Sequence, residues 1–127
     1  MPQTPAAETL QFERLANVIA LPIGRWDRKA RLVFCNLPYL VWAGRSQEEL
    51  LGKTLAELYG ETAWQVARPA FERAFAGEPS GYERLLTHPP HPQRWARVQV
   101  FPDTTSCGEV QSVFTIATDI HQDIVER

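Results

Sequence analysis

The chain has 127 residues, a length that suits one domain and leaves little room for a second, and its 44% apolar content, with 10% aromatic residues, can fill one core. Thirteen Lys and Arg against fifteen Asp and Glu give a formal net charge of −2, which excludes a strong electrostatic pull toward nucleic acid or an anionic membrane. No apolar run approaches the roughly eighteen residues that span a bilayer, and Met1 to Glu8 has neither the basic region nor the hydrophobic core of a signal peptide, so the chain reads as cytoplasmic.

The start is short, polar and carries two prolines, Pro2 and Pro5, so a frayed tail is expected before order begins near Glu8. Phe12, Leu15, Ala16 and Ile19 then follow the i, i+3, i+4, i+7 spacing of an amphipathic helix that ends before Pro22. Leu21 to Trp26 and Arg31 to Cys35 read as an antiparallel strand pair joined through the polar stretch Asp27 to Ala30. Asn36 is a suitable N-cap for a short helix through Trp42, with Pro38 in the first turn and Gly44 as terminator.

Three hydroxyl residues are each followed three positions later by Glu or Gln: Ser46 with Glu49, Thr54 with Glu57, and Thr62 with Gln65. Each pair can satisfy backbone N–H groups reciprocally at a helix start. Gly52 and Gly60 limit the first two helices to one or two turns. The third is longer, with a stripe of Val66, Ala67, Ala70, Phe71, Ala74 and Phe75, an end at Gly77 and Pro79, and a bend expected at Val66 to Arg68 because Pro69 removes one internal hydrogen bond.

Strands are expected over Tyr82 to Thr87, Arg94 to Phe101 and Val110 to Thr118, with turns around Pro89, Pro90 and Pro92 and around Asp103 to Gly108. Ala96, Val98 and Val100 alternate with Arg97 and Gln99, the pattern of a strand with one buried face. Asp119 and Gln122 form a fourth capping signal, from which a helix should run past Arg127. Cys35 lies in an apolar run and Cys107 beside Gly108, and two free thiols, the first buried, are expected. The order gives an α+β domain: five antiparallel strands with the helices grouped on one face.

That order and several local motifs resemble the PAS domains of bacterial sensor histidine kinases and cyclic-dinucleotide enzymes. The segment Asp27 to Asn36 is similar to the family's two-strand opening, with Ala30 where glycine is usual. Gly44, Arg45, Ser46 and Glu48 to Lys53 resemble its most recognisable helical stretch. Arg68, Pro69 and Phe71 to Pro79 resemble a subgroup with an Arg-Pro helix ending in Gly-Glu-Pro. Arg94 and Trp95 leading through Val98 and Val100 to Pro102 and Asp103 look like the fourth strand, and Asp119 with Ile120 match the start of the closing Asp-Ile-Thr motif, where His121 replaces threonine. The resemblance implies a PAS domain over residues 12–121, preceded over 1–11 by a tail and the start of a flanking amphipathic helix and followed over 122–127 by the start of a connecting signalling helix.

It also implies a sensory module, the first domain of a longer signalling protein, that binds a small molecule or a partner and relays a signal to an effector domain after Arg127 or to a partner signalling protein. Pocket candidates are Trp42, Leu55, Tyr59, Trp64, Phe71 and Phe75 from the helices and Phe34, Tyr82, Val98, Phe114 and Ile116 from the strands. For any one aromatic among them, ordinary core packing is the competing explanation. Asp119 and Ile120 are the expected signalling junction, and Phe12, Leu15 and Ile19 the expected homodimer interface.

No catalytic residue is expected, since none of the three histidines has a recognisable acid-base setting. His88 and His91 flank two prolines in a turn, so no metal site is expected either. Haem-binding relatives use a histidine, and the stretch from Asn36 to Gly77 has none, leaving His88 as the nearest. Photoactive flavin relatives carry cysteine in an Asn-Cys-Arg motif on the central helices, where neither Cys35 nor Cys107 lies. The expected cofactor set is therefore empty apart from an unidentified small molecule, with no nucleic acid or membrane partner. The alternatives are a ligand-free PAS dimerisation module and a small α+β hydrolase or isomerase, for which no acid-base pair is identifiable.

Overall fold

Asp27 shapes the first turn of the sheet: its Oδ1 accepts the N–H groups of Lys29 at 2.8 Å and Arg31 at 3.0 Å, a side-chain substitute for backbone turn bonds. The turn closes through Ala30, which adopts a left-handed φ of 59°. The computed structural model describes residues 7–86 and 94–121. In chain order its elements are α1 (Ala7–Ala16), β1 (Ile23–Trp26), β2 (Leu32–Cys35), α2 (Leu37–Ala43), α3 (Gln47–Leu50), α4 (Leu55–Tyr59), α5 (Glu61–Phe75), β3 (Ser80–Leu86), β4 (Arg94–Thr104) and β5 (Val110–Asp119). The strands form one antiparallel sheet in the order β2-β1-β5-β4-β3.

Alternation along the strands sorts side chains onto two faces. Trp26, Val98, Val100 and Val113 point inward and build the main core with Leu50, Leu55, Leu58 and the Ala67, Ala70, Phe71 and Ala74 face of α5. Ile23, Phe34, Phe114 and Ile116 point to the opposite face, where they gather around the fully buried Ala16 at the end of α1. Arg25 on that outer face pairs with Glu13 of α1, Nε to Oε2 at 2.7 Å. Gly24 is required by close approach, since a Cβ there would meet the Leu32 side chain at 3.0 Å and the Trp26 indole nitrogen at 3.2 Å.

Several local expectations correspond to what is seen. Asn36 caps α2, Pro38 lies in its first turn, and Gly44 terminates it in the left-handed region at φ 67°. Both residues of each capping box, Ser46 with Glu49 and Thr54 with Glu57, bond as expected at the starts of α3 and α4. Hydrogen bonds from Leu32 N–H to the Lys53 carbonyl and from Gly52 N–H to the Leu32 carbonyl lay the α3–α4 linker along β2, which covers an otherwise open sheet edge. Both cysteines are free, Cys35 buried and Cys107 exposed.

Other expectations need correction. The flanking helix spans Ala7–Ala16 rather than Phe12 to Ile19. It stops where Asn36 Nδ2 captures the Ala16 carbonyl at 2.7 Å and the Leu21 carbonyl at 2.9 Å, and its 3.6-residue period cannot anticipate that tertiary bond. Thr62 and Gln65 do not cap α5. Gly60, at φ 99°, ends α4 and opens α5 directly from Glu61, and the Gln65 side chain bonds Glu61 Oε1 at 2.8 Å instead. Val66, counted in the buried stripe of α5, is 46% exposed. The helix continues through Pro69. Thr87, the end of an expected strand, lies outside the described residues, as do His88, His91 and Gln122.

Candidate functional site

A cavity of about 40 Å³ lies between the inner face of the sheet and helices α2 and α4. Its walls are apolar at Trp42, Leu55, Val98 and Ala117, and polar groups enter from Tyr39, Tyr59, Tyr82, Arg84 and Thr115. Each element delivers its side chain by its own period. Tyr39 and Trp42 are three apart on α2, and Tyr82 and Arg84 are two apart on β3, where they pair with Val98 and Ala96 of β4. Leu55 and Tyr59 come from α4, and Thr115 and Ala117 from β5.

The polar groups are joined in a defined pattern. The Tyr39 and Tyr59 hydroxyls lie 2.6 Å apart, the Arg84 guanidinium sits 4.8 Å from the centre of the Tyr59 ring, and the Trp26 indole N–H donates to Thr115 Oγ1 at 2.9 Å. Burial holds the Tyr39 hydroxyl well above the usual phenol range, and the Tyr59 charge and hydrogen bond raise it further. Burial also raises Tyr59, with the Tyr39 hydrogen bond and the Arg84 charge acting the other way. Burial is the largest effect on both phenols. Tyr82 is pushed up by burial too. All three phenols stay neutral near pH 7 and keep their O–H donors.

Among the sequence candidates, Trp42, Leu55, Tyr59, Tyr82 and Val98 line this cavity. Trp64, Phe71 and Phe75 do not: Phe71 packs edge-on against Trp26 at 5.8 Å and Trp64 at 5.5 Å and lies 6.5 Å from Phe75, within the core under α5. Phe34, Phe114 and Ile116 are on the outer face of the sheet, because in β5 the residues that reach the cavity are Thr115 and Ala117, one step out of phase. Tyr39 and Arg84 were missed. The period of two that turns Tyr82 inward turns Arg84 inward as well, and the spacing of three on α2 ties Tyr39 to Trp42, so both were recoverable from pattern.

Residues 17–123 match the PAS fold family. The chain belongs to that family.

Solved structures share this PAS fold. The PAS domain of Bordetella pertussis BvgS is 24% identical, with 94% of this chain and 93% of that one covered and a TM-score of 0.75. An RNA-binding Light-Oxygen-Voltage receptor is 18% identical, with 98% of this chain and 38% of that one covered and a TM-score of 0.74. A PAS domain from Colwellia psychrerythraea is 15% identical, with 91% of this chain and 98% of that one covered and a TM-score of 0.72. A comparison with curated proteins gives no match.

At the far end of this PAS domain, Asp119 closes β5. Its Oδ2 accepts Arg94 Nε at 2.7 Å and its Oδ1 accepts the His121 N–H at 2.9 Å. Ile120 is buried, and its N–H donates to the Trp95 carbonyl at 3.0 Å. Of the expected dimer residues, Leu15 is 60% exposed and Ile19 40%, and the Phe12 side chain lies outside what is described. Among the described residues no group of three or more His, Cys, Asp or Glu side chains is placed to hold a metal ion, and no helix is long and apolar enough to cross a membrane.

Proposed function

We propose that this chain is a sensory PAS module that takes a small compound at the tyrosine-lined cavity and passes its occupancy along β5 to whatever follows Asp119. The observation that carries this reading is the convergence of Tyr39, Tyr59, Tyr82 and Arg84 on an otherwise apolar cavity whose wall includes Thr115 and Ala117 of β5. Ligand sites combine apolar walls with a few placed polar groups in this way, and packed strands respond to a wedge by shifting between discrete arrangements. The role is regulatory and not catalytic. The resemblance of Arg68, Pro69 and Gly77 to Pro79 to one PAS subgroup supports a bacterial sensor kinase or cyclic-dinucleotide enzyme as the setting, with it a cytoplasmic location, a homodimer and an effector beyond Arg127. Haem and flavin are not part of the reading.

Native mass spectrometry with an absorption spectrum of the purified protein tests it: a retained small molecule without a visible band is expected. A Soret or flavin band would overturn the cofactor assignment, and loss of the reading follows if no compound alters the cavity. A ligand-free dimerisation module is the second reading. It is favoured by the cavity volume of about 40 Å³, space for a few waters and not for a drug-sized molecule.

A further inference from the structure

We infer that the compound this PAS domain takes is an organic carboxylate with a compact apolar body, its carboxylate at Arg84. The inference rests on the sensory reading above and adds the chemical class. Arg84 stands on the inner face of β3 in register with Ala96, between Tyr82 and Leu86. Among the described arginines, Arg25, Arg68, Arg94 and Arg97 pair with a carboxylate, and of those that do not, Arg84 alone lines the inner cavity. Arg84 has no carboxylate partner among the described residues. Its contact is the ring of Tyr59, a π face that offers no oxygen to the guanidinium N–H donors. A half-buried arginine so placed is matched by an anion brought from outside.

Arg84 and Tyr59 also border a surface cleft of about 350 Å³ formed with Ala63, Val66, Leu85 and Trp95. They therefore stand at the join between the small inner cavity and a larger surface cleft of ligand size, lined by both polar and apolar side chains. The inner cavity has no acidic side chain among its lining residues. The one acid bordering the cleft, Glu83, is occupied by Arg97 at 3.0 Å. Val66 and Leu85 are exposed apolar groups at 46% and 39%, suited to the body of a bound molecule. The Tyr82 hydroxyl, with no hydrogen-bond partner among the described residues, supplies a neutral donor beside the guanidinium. The guanidinium fork fits a carboxylate bidentately and its one positive charge balances that group's single negative charge, whereas a phosphate dianion would keep one charge unpaired on entering the partly buried site.

The test uses two matched pairs of probes, 3-phenylpropionate with 3-phenylpropionamide and hexanoate with hexanamide, titrated to millimolar concentration into the 127-residue protein and followed by amide chemical shifts. In the wild type each acid should bind about tenfold more tightly than its amide, the order expected for a charge-assisted pair, with the largest shifts at Tyr82, Arg84 and Val98. Arg84→Met should reduce that preference to within about twofold while leaving amide binding in place, and Tyr82→Phe should weaken the acids several-fold. Should Arg84→Met not fold, Arg84→Lys, which keeps the charge and loses the fork, should lower the preference about threefold. Equal affinity of acid and amide, or a preference that survives Arg84→Met, overturns the carboxylate assignment and leaves the sensory cavity standing. If no probe of either charge perturbs the cavity, both fall.

Discussion

Asn36 Nδ2 donates to the Ala16 carbonyl at 2.7 Å across twenty residues of chain, holding the end of α1 to the start of α2 from inside the protein. The same fully buried side chain donates to the Leu21 carbonyl and accepts from the N–H groups of Ile23 and Tyr39. Asn36→Leu strands the Ala16 and Leu21 carbonyls and the Ile23 N–H, while the Tyr39 N–H keeps its bond to the residue-36 carbonyl at 3.1 Å. At about 1–3 kcal/mol for a buried group left unpaired, less what water recovers, the expected loss is about 3–5 kcal/mol of unfolding free energy. Urea denaturation checks it, and a loss under about 1 kcal/mol would mean that Asn36 serves only as a helix cap.

The Asp119 carboxyl is held below the usual carboxylate range, chiefly by the hydrogen bond from Arg94, with the His121 N–H adding to it. A folded value below the unfolded one stabilises the protein above the unfolded pKa near 4, and the stabilisation is lost as pH falls through the lower folded value. Both partners are about two-fifths exposed, so the effect should stay under about 1 kcal/mol. Asp119→Asn should lower stability at pH 7, where the carboxylate contribution is fully present, by up to about 1 kcal/mol, and leave it unchanged in acid, so that stability falls less as pH drops below about pH 4. An unchanged acid profile in thermal melts would contradict this.

The same residue links β5 to the segment that follows. Asp119→Ala removes one N–H acceptor and the Arg94 tie, at about 1 kcal/mol, comparable with a coupling free energy of about 1–3 kcal/mol between sites. An effector fused after Arg127 should change activity while circular dichroism and probe binding remain as in the wild type. Equal effector activity would remove Asp119 from the signalling path.

Leu15 is exposed at 60% on α1, with Val18 at 79% and Ile19 at 40% beyond it. If this face joins two copies, Leu15→Glu should convert the dimer to a monomer in sedimentation, with monomer stability altered by no more than about 0.5 kcal/mol. A wild type that is already monomeric at high micromolar concentration would end the idea.

Ala30 combines two opposing effects. Its left-handed backbone, φ 59°, costs about 1–2 kcal/mol that glycine would relieve. Its side chain is buried, worth about 0.8 kcal/mol for the methyl group, and glycine adds unfolded-state entropy of about 0.4–1 kcal/mol. The sum for Ala30→Gly is within about 1 kcal/mol of zero, to be read from the urea midpoint at unchanged slope. A large loss would show that the methyl group matters more than the strained turn.

The order of elements, the Asn36, Ser46 and Thr54 caps and the glycine stops at Gly44, Gly52 and Gly60 were legible in the sequence, because each depends on residues within four positions of one another. So was the PAS resemblance, which is a pattern of such local signals. The tertiary structure alone decided which aromatic side chains meet. Phe114 and Thr115 are adjacent in sequence yet face opposite layers, and no composition or local rule says which layer holds the cavity. It also decided that α1 ends at Ala16, through a hydrogen bond from Asn36, and that the inward-facing Arg84 guanidinium meets the ring of Tyr59. Local signals describe the backbone within a turn or a strand; the strand order β2-β1-β5-β4-β3 brings Tyr39, Tyr59 and Arg84 together from separate elements, and that proximity is a property of the packed whole.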